Sequence, residues 1–354
     1  MVLIVCNTLY QLLVAINIKV NIHKNDKVDL ILTDHTVKFK DIYINIKDKD
    51  VFNNVYYVET KRFESEFKPS RSDLLRIAIS NSNEYNKHFN YIENTYNYLY
   101  TANINQYIKL LYGHLQKNNN KIIVREFEDG FSSYVKTWIS LNRYERVLSK
   151  FGKKYLCNNI DELYLFEPNL YVCEKTRIIK QLPKISKDDK ELVKIINEVF
   201  NYKTNYTIRE KYIFLEESFS ADKYETNDVE LIKLVASIVG TDNFIVKMHP
   251  RNPINRFEND SIKTLHSSIP WEVFLLNNDF SDKVFITVSS NGTIMPKILF
   301  NEDTKTILLI NLFKGGIPLF KEDFYKNYLE NVYNQYADKN LHIPQNRNEL
   351  MSLL

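Results

Sequence analysis

Along the chain, short runs of β-branched and aromatic residues alternate with longer segments whose apolar positions recur every three or four residues. Val2–Cys6 is the first such run, followed by a polar turn and a helical segment from Leu9. Val28–Thr33, Val51–Val58, Tyr96–Tyr100 and Lys121–Phe127 repeat the strand signal, with helical stretches such as Asn105–Gln116 between them. This rhythm predicts crossover units and a parallel sheet. Residues 151–210 are less regular and charge-rich, most of all in 184–190. We therefore expect a first domain over 1–175, a boundary region over 176–210 and a second domain over 211–354. In the second, strands are expected at Tyr212–Glu216, Phe244–Lys247, Val284–Val288 and Lys305–Ile310, and helices at Asp228–Val239 and Trp271–Asn277. The predicted fold class is α/β, with two Rossmann-like domains built on mainly parallel sheets.

Composition removes several function classes. The 47 basic and 44 acidic residues leave a net charge of +3, without the concentrated basic footprint of a nucleic-acid binder. Cys6, Cys157 and Cys173 have no metal-type spacing and read as reduced, mostly buried thiols of a cytoplasmic protein. The remaining histidines show no metal-ligand spacing either, so no metal is expected. The apolar opening lacks a charged flank and is interrupted by Asn7, Thr8 and Gln11, which argues against a signal peptide. No other stretch approaches the ~18–20 apolar residues that span a bilayer.

Glycine is scarce. The chain has seven, and neither the dinucleotide fingerprint nor the P-loop is present. A nucleotide phosphate would have to be held by hydroxyls, a cationic side chain and a helix amino terminus. Two strand ends offer those groups, at the place where open α/β sheets bind ligands. Phe244–Arg251 delivers Lys247, His249, Pro250 and Arg251, and Val284–Gly292 delivers Ser289 and Ser290. A histidine between a lysine and an arginine could stay protonated against an anion and act as a general acid. The plainer alternatives are a solvated strand cap and an ordinary helix N-cap.

Four acidic residues join them. Glu272, just after Pro270, could hold ribose hydroxyls or simply favour a helix dipole. Glu128 and Asp129 end a strong strand before Gly130, either aiming carboxylates into a cleft or forming a plain turn. Asp222 follows the first strand of the second domain, in the topological position of the His249 loop, or lies in an ordinary loop. Asp48-Lys-Asp50 superficially matches a metal-binding D-x-D but reads as solvated surface.

In chain order, Cys6-x-Thr8-x-x-Gln11, Phe127-Glu128-Asp129-Gly130, Ser220-x-Asp222-Lys223, Lys247-x-His249-Pro250-Arg251, Ile269-Pro270-x-Glu272 and Ser289-Ser290 resemble bacterial sialyltransferases of GT-B fold. The lipooligosaccharide sialyltransferase family (glycosyltransferase family 52) is the nearest match. The resemblance implies two domains facing a central cleft and inverting, metal-independent transfer from CMP-sialic acid. The acceptor it implies is a terminal galactosyl hydroxyl of a lipooligosaccharide or capsular glycan. Another nucleotide sugar on the same scaffold is the alternative. Carried over by position, His249 contacts the donor phosphate and is the acid, and Lys247 lies near the cytosine. Glu272 holds the ribose, and Ser289 and Ser290 bind phosphate. The base is Asp222 by the nearest family and Asp129 by related ones, and we prefer Asp222. Thr8, Gln11 and Glu128 fall on the acceptor side. The resemblance further implies a homodimer, no cofactor, no nucleic-acid partner, and a cytoplasmic protein whose membrane contact, if any, is peripheral at the inner face.

Overall fold

A computed structural model describes residues 1–47, 49–79, 86–135, 142–151, 154–156, 160–173, 177–203, 207–252, 254–267 and 269–354. Asp48 and Cys157 lie outside the described residues. Cys6 is buried as a free thiol, and Cys173 is half-buried. The chain forms two compact units: Met1–Pro168 with Cys173–Pro183 and Lys194–Asn201, and Asn169–Val172 with Lys184–Val193 and Tyr202–Leu354.

The first unit is built on seven strands: β1 (Val2–Cys6), β2 (Val28–Thr33), β3 (Asn54–Val58), β4 (Tyr98–Thr101), β5 (Ile123–Phe127), β6 (Glu162–Leu165) and β7 (Ile178–Gln181). Their order is β3-β2-β1-β4-β5-β6-β7, with every neighbouring pair parallel. β1 and β2 are buried along their whole length, which is why they read as unbroken apolar runs. Connections run outward on one side of β1 and then on the other, so a topological switch falls between β1 and β4.

The second unit repeats the plan with β8 (Tyr212–Leu215), β9 (Phe244–Lys247), β10 (Lys263–Leu265), β11 (Val284–Thr287), β12 (Lys305–Leu308) and β13 (Leu341–His342). Its order is β10-β9-β8-β11-β12-β13, again parallel throughout. Here the switch lies between β8 and β11, and helix Asp228–Val239 packs Leu231, Ile232 and Val235 onto the sheet core. Among the described residues, no helix is long and apolar enough to cross a membrane.

One expectation needs correcting. Residues 151–210 are more regular than their composition suggests, since they supply β6, β7 and helix Lys190–Val199. The charge that hid these strands is cross-strand pairing. Glu162 on β6 accepts from Arg125 on β5 at 2.6 Å and from Lys180 on β7 at 2.5 Å. Arg125 also lies 3.7 Å from the centre of the Tyr98 ring. Opposite charges side by side on adjacent strands stabilise a sheet while erasing its hydrophobic signature.

Gly113, within helix Gln106–Asn118, shows how closely the first unit packs. On an exposed helix, alanine would be better there by roughly 1 kcal/mol. A Cβ at Gly113 would stand 2.3 Å from the Lys154 carbonyl oxygen, a backbone atom with little room to move. Overpacking of this kind costs about 1–3 kcal/mol, so the contact outweighs the helix propensity. Gly113→Ala is expected to lower unfolding stability by about 1–2 kcal/mol in urea titration, and a stabilised variant would contradict this packing.

Candidate active site

The carboxyl edge of the second sheet gathers its polar residues through β8. The strand ends in Leu215, and the next two residues are Glu216 and Glu217, both buried. Glu216 Oε2 accepts the His249 backbone N–H at 3.0 Å, fixing the loop after β9. Glu217 Oε1 accepts the Ser289 backbone N–H at 2.6 Å and the Thr287 hydroxyl at 2.7 Å, fixing the loop after β11. Arg256 balances Glu216, donating to its Oε1 at 2.6 Å while also bonding Asp228 in the first turn of helix Asp228–Val239. Asn252, 4% exposed, bonds the Glu217 carbonyl at 2.9 Å and accepts from the Ala221 N–H at 3.2 Å. The loops after β8 and β9 are thereby tied together.

The serine loop is also held from its other side. Ser290 is an N-cap, its Oγ accepting from the Gly292 N–H at 3.3 Å before a short turn and helix Met295–Phe300. The capping alternative is therefore realised for Ser290, and the helix starts two residues beyond Thr293. The Gly292 carbonyl accepts the Trp271 indole N–H at 2.9 Å. A Cβ at Gly292 would stand 2.7 Å from Leu215 Cδ2, so a larger residue there would have to displace that methyl group. Trp271 opens helix Trp271–Leu276, with Glu272 in its first turn. Lys247, the last residue of β9, places its Nζ 5.8 Å from the Trp271 ring centre. Burial pushes the Glu272 carboxyl up and the Lys247 ammonium down, and their mutual attraction opposes both shifts. Lys247, Glu272, Trp271 and the Ser289–Gly292 turn thus form one connected wall.

Asp222 lies on the same edge. Its Oδ1 accepts from Arg251 at 3.0 Å and its Oδ2 from Ser218 at 2.7 Å, while Arg251 also donates to Ser218 at 2.6 Å. The structure therefore brings Asp222 to the His249 loop. The Arg251–Asp222 pair is open to solvent, at 62% and 36% exposure, and such pairs are worth about 0–1 kcal/mol.

His249 departs from expectation. Burial, followed by the positive charges of Arg251 and Lys247, lowers its pKa to about 4, and Glu216 and Asp222 only partly oppose them. Burial and the flanking cations disfavour a proton, so the free site holds a neutral imidazole, and the protonated form expected against an anion belongs to a site that holds one. The Arg251 backbone N–H donates to Nδ1 at 3.2 Å. An accepting Nδ1 leaves the ring proton on Nε2, where it can be donated to a ligand. Pro250, exposed, follows directly and turns the chain out of the strand.

In the first unit, Asp129 is half-buried beyond β5, ringed by polar side chains. Thr8 donates to its Oδ1 at 3.3 Å, Asn103 to its Oδ2 at 3.4 Å, and burial raises its carboxyl against these hydrogen bonds. Thr8 is also the N-cap of helix Leu9–Asn17, accepting from the Gln11 N–H at 3.2 Å. Gln11, fully buried, accepts from the Asn7 N–H at 2.6 Å. Both residues therefore build the helix entry as well as lining Asp129. Glu128 points inward, contrary to the expected cleft-facing carboxylate. It is fully buried, taking Tyr10 on one oxygen at 2.8 Å and Tyr134 and the Phe166 N–H on the other at 2.5 and 2.8 Å.

Glu216, Glu217, Arg256, Asp228 and Asn252 were not singled out from the sequence. The available signal was a pair of carboxylates directly after a fully apolar strand, in Leu215-Glu216-Glu217. Among the described residues, no group of three histidine, cysteine or acidic side chains is arranged to hold a metal ion.

No protein-family model matches the sequence. No curated protein matches it either. Among solved structures, the chain is similar to an α/β-galactoside α-2,3-sialyltransferase from the luminous marine bacterium Photobacterium phosphoreum. The TM-score is 0.55 and the identity 10%, covering 97% of each chain. It is also similar to the glycotransferase of kitacinnamycin, with a TM-score of 0.51, 10% identity, and coverage of 97% of this chain and 85% of that one. At such identities the likeness shows the fold, which is GT-B with two Rossmann-like units.

Imidazole NMR checks the state of His249. The ring should be neutral with its proton on Nε2 at pH 6 and titrate near 4, whereas a midpoint near 6.5 would contradict this geometry. Unfolded histidine takes its proton near 6.5, so this group's contribution to stability is complete above that pH and is lost as pH falls towards 4.

Proposed function

We propose that the protein is an inverting sialyltransferase that moves sialic acid from CMP-sialic acid to a terminal galactosyl hydroxyl of a bacterial surface glycan. The observation that carries this reading is the single carboxyl edge joining His249, Asp222, Lys247, Glu272 and the serine pair around β8. Such an edge suits a nucleotide bearing one phosphate. Glu272 is the proposed ribose ligand, and Lys247 lies towards the base. Ser289 and Ser290 take the phosphate together with His249. The His249 Nε2–H meets the phosphate, whose negative charge reverses the repulsion from Arg251 and Lys247 and restores the imidazole's affinity for a proton.

In the proposed reaction, the acceptor hydroxyl oxygen attacks the anomeric carbon of sialic acid from the face opposite the phosphate. The bond from that carbon to the phosphate oxygen breaks, and CMP departs with the electron pair. The acceptor proton passes to a carboxylate, and His249 stabilises the leaving phosphate. Asp222 is the proposed base, because its solvent-exposed pairing with Arg251 leaves it able to exchange partners. Asp129 is the competing candidate, since burial raises its proton affinity. Lys247, His249 and the serines offset one phosphate charge, so we propose turnover without a metal.

Incubation with CMP-sialic acid and a panel of galactosides in the presence of a chelator tests the reading. CMP release coupled to sialylated product is expected, and turnover of a UDP-sugar instead would replace the donor assignment. His249→Ala should lose at least ~100-fold in rate while remaining folded. Asp222→Asn and Asp129→Asn identify the base, because the variant that keeps near-normal turnover is not it.

A further inference from the structure

Glu217 takes no part in the chemistry above, yet it lies directly against the serine loop. Its Oε1 is filled by the Ser289 N–H and the Thr287 hydroxyl. Its Oε2 is buried and has no hydrogen-bond partner among the described residues, with the whole residue 8% exposed. Glu216 beside it has Arg256 as counter-ion at 2.6 Å. Glu217 has no lysine or arginine within 4.0 Å among the described residues. A buried carboxylate without a counter-ion beneath an anion-binding loop is electrostatically costly, and more so once an anion arrives.

The surroundings make the neutral form the accessible one. Asp228, from helix Asp228–Val239, adds a like charge, and Arg256 is divided between Asp228 and Glu216. Tyr325, from helix Asp323–Tyr336, faces Glu217 with a phenol that burial holds in its neutral form. From the β11 end come Thr287, Ser289 and Ser290, and from the loop after β9 comes Asn252 on the Glu217 carbonyl. Burial pushes the Glu217 carboxyl up to about 7, against the hydrogen bonds from Ser289 and Thr287.

We infer that Glu217 is a specificity-determining residue of the donor site, restricting the charge accepted over the Ser289–Ser290 loop to that of one phosphate and taking up a proton from solvent as the anion binds. This rests on the donor reading above. The proton forms an O–H bond on the carboxyl group, whose unpartnered Oε2 is the open position, and neutralises the charge that would repel the ligand. A second phosphate brings further negative charge, while Arg256 is committed to Glu216 and Asp228. The chemical class selected is therefore a nucleoside monophosphate sugar over a nucleoside diphosphate sugar.

Calorimetric titration of CMP and CDP into wild type and Glu217→Gln, at about pH 6 and about pH 8.5, tests this. Glutamine keeps the acceptor for Ser289 and Thr287 and removes only the charge. At the lower pH the two proteins should bind CMP within about twofold of one another. At the higher pH the variant should bind CMP about tenfold more tightly, the equivalent of one pKa unit of coupling, and gain more for CDP than for CMP. Titrating wild type near pH 8 in two buffers of different ionisation enthalpy should show uptake of about 0.4 proton per CMP, absent from the variant. A variant-to-wild-type ratio that does not change with pH, an equal gain for CMP and CDP, or no proton uptake by wild type would each overturn the inference while leaving the donor reading intact. Wild type that binds neither nucleotide would overturn the donor reading and this inference with it. Where the variant does not fold, the same proton count on His249→Ala, which has no imidazole to take up the proton, decides the matter.

Discussion

Two consecutive carboxylates after a four-residue strand set the geometry of the second unit. Glu216 serves the β9 loop and Glu217 the β11 loop. β8 is hydrogen-bonded to both of those strands, so a single dipeptide fixes the spacing between the histidine loop and the serine loop. Hydrogen bonds to a charged acceptor are worth about 1.5–3 kcal/mol each, enough to hold loops that have no strand ladder of their own. With only seven glycines, this chain fixes those loops through buried acids.

Much of the fold was legible because its signals are local. β9 and helix Asp228–Val239 fall where periodicity places them, and β1 and β2 are read from unbroken burial. β6 and β7 were obscured because their charges pair across strands, a relation between distant residues that a local window cannot register. The same division runs through the site. His249 and Ser289-Ser290 stand out as polar groups ending apolar runs. Glu216 and Glu217 did not, since their meaning depends on β8 lying between β9 and β11. Glu128 looked like a partner of Asp129 until Tyr10, Tyr134 and Phe166, all remote in sequence or hidden by the turn, closed around it.

The protonation of His249 teaches a separate lesson. A lysine and an arginine flanking a histidine in sequence suggest a cationic patch able to hold an anion. In the folded chain burial, joined by those two charges, expels the proton from the ring. In the proposed reaction the phosphate supplies the charge that returns it. The charge state of the ring therefore belongs to the complex, and composition alone has no access to it.

Trp271 carries one more consequence. Its indole N–H grips the Gly292 carbonyl while its ring lies near the Lys247 ammonium, so it stands between the serine loop and the end of β9. An indole's emission responds to the charges and hydrogen bonds around it, and this indole is wired to two of the groups expected to meet a nucleotide. The fold has in effect placed an optical probe at the carboxyl edge of the second sheet. With Trp138 replaced, intrinsic fluorescence can follow that edge in an unlabelled protein.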